Sequence, residues 1–392
     1  MKKQETLLRG LEHPVAIAMW DFAWLLRHYE GGGFEDWDKA LDELSERGYN
    51  AVRIDVFPHL VACDDRDEFF FPYSPETCSI WHHGQDITVN VKEALKEFLP
   101  KCFERGIYVG LSTWIQWPAQ RPLLLSKFDF VKAWEKTLEF LKENGLLRNI
   151  LYVDFLNEYP YYHGFSALKR AAMNKDGKNF PISESNMQED VGDSFKKRGR
   201  EYLRDFSAEV IDYFNEHWEG IDFAFSISAN IDGFHPEKSS DFSKFGFFDM
   251  HIWFVHHTPW YYYQSKVNSL KNLDDEKALF EKIEKAWGRH QRTLIRWMDK
   301  KMKSYHRWSV KYNTPVGNTE GWGFIFWVTD TDDWTFNKRA AEICVDLAIK
   351  YNYSFICTSN YTHPHFKKLW DDVQWHQKMT AKIKQANIKK YN

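Results

Sequence analysis

Cysteine is scarce and unpatterned. The five residues Cys63, Cys78, Cys102, Cys344 and Cys357 are widely spaced and form no CxxC pair. That spacing indicates neither a disulfide framework nor a zinc knuckle, and such thiols suit a reducing compartment. Long apolar runs are missing as well. No stretch of about 18 apolar residues occurs, so no membrane span is expected. The opening MKKQETLLRGLEHPVAIAMW starts basic but has no apolar leader core, because Glu5, Arg9, Glu12 and His13 interrupt it. A cytoplasmic protein is the expectation. Basic excess is absent: the net charge is −4, which offers no field for nucleic acid. The segment WDFAWLLRHYEGGGF is not a GxGxxG on a strand-to-helix turn, which speaks against an open doubly wound dinucleotide fold. No low-complexity linker divides the chain.

Aromatic residues, by contrast, are abundant. Phe, Tyr and Trp make up 17% of the chain, with 18 tryptophans. Most must fill a large core. Indole and phenol rings also stack on flat apolar faces while keeping a polar handle free, and sugar rings offer such faces. A chain of 392 residues allows two average domains or one large barrel.

The pattern along the chain is an alternation. Apolar runs over 14–22, 51–57, 107–114, 149–158, 221–230, 245–253, 314–322 and 353–361 read as strands. Amphipathic stretches over 34–50, 89–106, 127–147, 195–218, 275–311, 336–351 and 367–388 read as helices. Runs this apolar are typical of parallel strands covered on both faces. Eight such strands with helices between them predict an α/β fold, a (β/α)8 TIM barrel spanning 1–392 as one domain. The connections after strands two and four are long, and in a barrel both lie on the C-terminal face, where active sites are built.

The residues ending the strands then converge on one mouth. They include Asp21, Arg53, Trp114, Asn157, Glu158, Asn230, His251, Trp253, Glu320, Trp322 and Tyr361. Two glutamates, on strands four and seven, face each other. Facing carboxyls are the requirement of glycoside hydrolysis: one protonates the leaving oxygen, and the other attacks the anomeric carbon or activates a water. Arg53 can hold one of them ionised.

These residues resemble the clan A glycoside hydrolases, and within them the cellulase-like enzymes related to family 5. The resemblance rests on LNE at 156–158, NTEGW at 318–322, NAVRIDVF at 50–57 and DMHIWF at 249–254, and it covers essentially the whole chain. It implies retaining hydrolysis of β-glycosidic bonds without metal or cofactor. Glu158 is then the acid/base and Glu320 the nucleophile. Asn157 binds the sugar 2-hydroxyl, and Arg53 and His251 support Glu320 and the sugar. Three positions depart from the family. LSTWIQW at 111–117 has no strand-three histidine, Trp253 replaces a tyrosine, and CTSNYTHPHF at 357–366 lacks the strand-eight tryptophan, leaving Tyr361 or Trp322 for that place. Asp21, Asn230 and Trp114 complete the expected sugar contacts.

Two other readings use the same residues. Asp249, His251, Glu158 and Glu320 resemble the ligand set of a metal-dependent sugar isomerase; against it stand Arg53 in the mouth and the lack of an HxH or HxxE pair. A non-catalytic sugar-binding barrel is the third reading. The long loops after strands two and four would close one end of the groove and favour short oligosaccharides.

Overall fold

The computed structural model describes the chain apart from residues 1–4, 74–80, 82, 162, 188, 229–241, 258–259, 268, 271–272, 326–332 and 392. Its centre is a ring of parallel strands: β1 Val15–Asp21, β2 Ala51–Asp55, β3 Tyr108–Ser112, β4 Ile150–Asp154, β5 in two pieces, Phe223–Ala224 and Ile227–Ser228, β6 Phe248–His251, β7 Val316–Gly317 and β8 Phe355–Cys357. One sheet runs β8-β1-β2-β3-β4-β5, and a second runs from the latter half of β5 through β6 to β7. Closure comes from Asn318, which bridges to Ile356 in parallel; its N–H donates to the Phe355 carbonyl at 3.0 Å and its carbonyl accepts from Cys357 at 2.9 Å. The expected (β/α)8 barrel is therefore present.

The strands are apolar on both faces because the inner face fills the barrel and the outer meets helices. Every residue of β1, β2 and β4 is buried. Inside, the Tyr152 ring packs 4.4 Å from Phe247 and 5.2 Å from Phe355. Gly110 and Gly317 leave the room for this: a Cβ on either would collide with the ring of Tyr152 or Phe355.

The helices outside are α1 Trp37–Glu46, α2 Val91–Glu104, α3 Lys127–Glu143, α4 Ser166–Lys175, α5 Lys197–His217, α6 Trp260–Val267, α7 Leu273–Tyr312, α8 Thr335–Lys350 and α9 Val373–Lys384. Local chemistry starts them. Asp36 caps α1 by accepting from Lys39 N–H, and Ser126 and Asp129 form a reciprocal capping box on α3. Trp37, Ala40, Leu41 and Leu44 form the buried stripe of α1. Gly48, at φ +83°, turns the chain back toward β2.

Three details differ from the sequence reading. The region 367–388 is broken: a short turn at Lys367–Trp370 precedes α9, and Asp372 caps the new start by accepting from Trp375 N–H. The long connection after β2 carries an antiparallel hairpin, Glu68–Phe71 with Ile87–Asn90. The connection after β4 carries α4. Among the described residues, no helix is long and apolar enough to cross a membrane.

Candidate active site

Strand order places β7, β8, β1 and β2 side by side, with β4 across the ring. Arg53 lies in the middle, fully buried. Its guanidinium makes a two-point contact with Asp21, Nε to Oδ1 at 2.7 Å and Nη2 to Oδ2 at 2.6 Å. The same Nη2 also donates to Glu320 Oε1. Nη1 donates to Thr319 Oγ1 at 2.6 Å and lies 3.0 Å from His251 Nε2. Burial opposes the charge on Arg53, but Asp21 and Glu320 more than offset it, so its pKa stands well above the ordinary value.

His251 links the two glutamates. Its Nδ1 lies 3.2 Å from Glu158 Oε1 and 3.4 Å from Glu320 Oε1. One carboxylate oxygen of each glutamate and a ring nitrogen of His251 all fall within 4.8 Å of one another. Burial alone would lower the His251 pKa, yet the Glu320 and Asp249 carboxylates raise it well above the usual value. Burial pushes the Glu320 carboxyl up to about 7; Glu158 and Asp21 add to the rise, while His251 and Arg53 oppose it.

The backbone is bent where these groups emerge. Glu158 has φ +50° and Asp21 φ +39°, a left-handed region that non-glycine residues occupy at a cost of roughly 1–3 kcal/mol. Such outliers concentrate where a side chain must be aimed. Clefts of about 460 and 550 Å³ lie away from these residues, one between α1 and α2 and one around Cys63 and Arg121, and neither is lined by Glu158 or Glu320.

The sugar-binding cellulase-like family model matches residues 17–384. The chain belongs to the cellulase-like family. Its barrel is that of the clan A glycoside hydrolases. A candidate glycoside hydrolase from Parabacteroides distasonis ATCC 8503 is 28% identical, with a TM-score of 0.78 over 97% of this chain and 96% of that one. A family 5 xyloglucanase from Paenibacillus pabuli, in complex with ligand, superposes at TM-score 0.51 with 11% identity, covering 97% and 99% of the two chains. A GH5_18 protein from Streptomyces cattleya in complex with GlcNAc gives TM-score 0.51 at 10% identity, over 93% and 81%. The latter two share the fold. No curated protein matches the sequence.

In this cellulase-like barrel the remaining expected residues divide. Asn157 is fully buried, and neither polar atom of its amide has a hydrogen-bond partner among the described residues. Trp253, 3% exposed, likewise has an unpartnered Nε1, and its ring stands edge-on to His251 at 6.1 Å. Buried polar groups are normally paired, with protein, ordered water or a ligand. Trp114 donates its indole N–H to Asp21 Oδ2 at 2.7 Å. Trp322, joined to Gly321 by a cis peptide, donates its indole N–H to the Cys357 carbonyl at 3.0 Å. Tyr361 is fully buried among Trp334 at 4.9 Å, Phe366 at 5.0 Å and Trp81 at 5.3 Å. Asn230 lies outside the described residues.

Asp249 differs from a metal ligand in its surroundings. Its Oδ1 accepts from Thr319 N–H at 3.0 Å and its Oδ2 from Thr319 Oγ1 at 2.6 Å. Burial favours its neutral form, but His251, Arg53 and Thr319 outweigh that and lower its pKa. Sequence reasoning missed Thr319, which joins Asp249, Arg53 and His251. Its place beside Glu320 was visible, but a threonine carries no pattern of its own.

Proposed function

We propose that the protein is a retaining glycoside hydrolase acting on β-glycosidic bonds of oligosaccharides. The observation that carries this is the approach of the Glu158 and Glu320 carboxylates to within 4.8 Å across His251. Retaining enzymes hold their carboxyl groups about 5–5.5 Å apart, while inverting ones need about 6.5–9.5 Å to admit a water. Arg53 and His251 tie Oε1 of Glu320 and favour its ionised form, leaving Oε2 to attack the anomeric carbon. Glu158 donates its proton to the departing oxygen. It then takes a proton from the water that hydrolyses the glycosyl-enzyme. The unpartnered Asn157 amide suits a sugar hydroxyl, and the Trp253 N–H is a further donor.

The charge arrangement disfavours metal chemistry. A cation between Glu158, His251 and Glu320 would sit beside the Arg53 guanidinium, which already contacts Glu320. Trp81 and Trp334, from the connections after β2 and β7, pack against Tyr361 at the end of β8. A groove closed on that side fits short oligosaccharides.

An activated 2-deoxy-2-fluoro β-glycoside tests the assignment. The label is expected on Glu320, and the first-formed product in NMR is expected to keep the β configuration. Inverted product, or a label elsewhere, would overturn it. Failure to turn over any activated glycoside would favour a non-catalytic sugar-binding barrel.

A further inference from the structure

Glu158 carries a left-handed backbone, and what holds it there comes from another strand. Its N–H donates to Ser226 Oγ at 2.9 Å. Ser226 Oγ donates in turn to Asp154 Oδ2 at 2.7 Å, and Ser226 N–H donates to Asp154 Oδ1 at 2.7 Å. Ser112 Oγ donates to the same Oδ2 at 2.8 Å. Ser226, Asp154 and Ser112 are all fully buried.

The position of Ser226 in the barrel explains why side chains do this work. β5 is in two pieces: Phe223 and Ala224 pair with Val153 and Asp154 of β4, whereas Ile227 and Ser228 pair with Met250 and His251 of β6. Ser226 stands in the interruption, where no ladder ties β5 to β4. A carboxylate with a serine on either side replaces the ladder there. Burial raises the Asp154 pKa, while Arg53 and the bonds from Ser226 favour its ionised form, in which the carboxylate is acceptor-only and takes all three bonds. The Ser226 hydroxyl then has its proton committed to Asp154, so its lone pair is aimed at the Glu158 N–H. The chain is directional and ends on the residue that carries the acid.

We infer that Ser226, oriented by Asp154, is a positioning residue for Glu158: it fixes the Glu158 backbone so that the carboxyl faces Glu320 and the leaving oxygen. Neither touches substrate. This rests on Glu158 being the acid/base, and the test separates the two statements. In the retaining scheme only the first step with a poor leaving group needs the proton from Glu158; a dinitrophenolate leaves without it. Loss of positioning therefore discriminates between leaving groups, whereas general loosening of the barrel does not.

The experiment compares kcat/KM for the dinitrophenyl and phenyl β-glycosides of the sugar that the wild-type protein turns over fastest. Glu158→Gln, Ser226→Ala and Ser226→Thr are assayed in parallel, with Glu158→Gln also tested for rescue by azide. Glu158→Gln is expected to lose far more on the phenyl than on the dinitrophenyl glycoside. Ser226→Ala is expected to follow the same pattern at smaller size, at least tenfold on phenyl and under threefold on dinitrophenyl. Ser226→Thr, which keeps the hydroxyl, is expected to recover most of the loss. If Glu158→Gln discriminates and Ser226→Ala affects both substrates equally or neither, the positioning role is overturned. If Glu158→Gln does not discriminate, or the wild-type protein turns over neither substrate, the acid/base assignment falls and this inference with it.

Discussion

Arg53 and Asp21 meet through two parallel hydrogen bonds, at 2.7 and 2.6 Å, and the same guanidinium reaches Glu320 and Thr319. One cation thus positions the carboxylate on β7 from β2, while β1 fixes the cation. Only a planar fork can do this, since a lysine ammonium is a point charge. Arg53→Lys is therefore expected to lower kcat/KM on the order of 10²-fold, the usual cost of misplacing a reacting group by about 1 Å. It is also expected to destabilise the fold by roughly 3 kcal/mol, because Asp21 loses a buried partner. Steady-state kinetics and urea denaturation check both; wild-type kinetics in the variant would remove Arg53 from the site.

The pH profile follows from Glu320, whose carboxyl is pushed up to about 7. As nucleophile it must be ionised, so kcat/KM for a dinitrophenyl glycoside, whose leaving group needs no proton from Glu158, should fall about tenfold for each pH unit below about 7. The negative charge of the Glu158 carboxylate raises the Glu320 pKa. Replacing it with an uncharged amide should move this limb to lower pH. The dinitrophenyl glycoside reads the limb in Glu158→Gln, and a limb that stays put or rises would contradict the coupling.

Asp55 bears on stability rather than chemistry. Burial pushes its carboxyl up to about 7, against hydrogen bonds from Trp114 and Phe57 N–H at 2.9 and 2.8 Å. The folded form therefore keeps a proton that the unfolded chain has lost between about pH 4 and 7. Stability from this group is full below about pH 4 and declines as pH rises through about 7. Asp55→Asn should flatten that decline while lowering stability at pH 4 by about 1–2 kcal/mol. Denaturation curves at pH 4, 5.5 and 7.5 measure the difference in slope between variant and wild type.

Gly110 tests the packing of the barrel interior. A Cβ there would run into the Tyr152 ring, and overpacking of this kind costs about 1–3 kcal/mol. Gly110→Ala should lower the melting temperature, and adding Tyr152→Leu should return part of it by opening the space. Additive losses in the double variant would show that the two do not meet.

Much of this molecule was legible along the chain because its signals are local. Four of the eight apolar runs carry, at or near their ends, the residues that meet in the barrel: Arg53 within β2, Glu158 just beyond β4, His251 closing β6 and Glu320 just beyond β7. The tryptophans and Tyr361 were less legible. A large ring at a strand end reads the same whether it faces a ligand or fills a wall, and Tyr361 proves to be packed on three sides by other rings. The hairpin at Glu68–Phe71 and Ile87–Asn90 went unread because its strands are only four residues each. Ser226 and Thr319 gave no signal, since a hydroxyl acquires a role only from its partners.

By itself the sequence determined the alternation of strands and helices, hence the barrel, and the presence of two glutamates, an arginine and a histidine at strand ends. These follow from periodicity and from residue type, which neighbours along the chain specify. Only the tertiary structure decided which atoms meet. Arg53 and Glu320 are 267 residues apart, and Glu158 and His251 are 93 apart. Their contact depends on the barrel closing through Asn318 and Ile356. The left-handed turn at Glu158 likewise depends on Ser226, 68 residues away, because a backbone conformation disfavoured locally persists only where distant groups hold it.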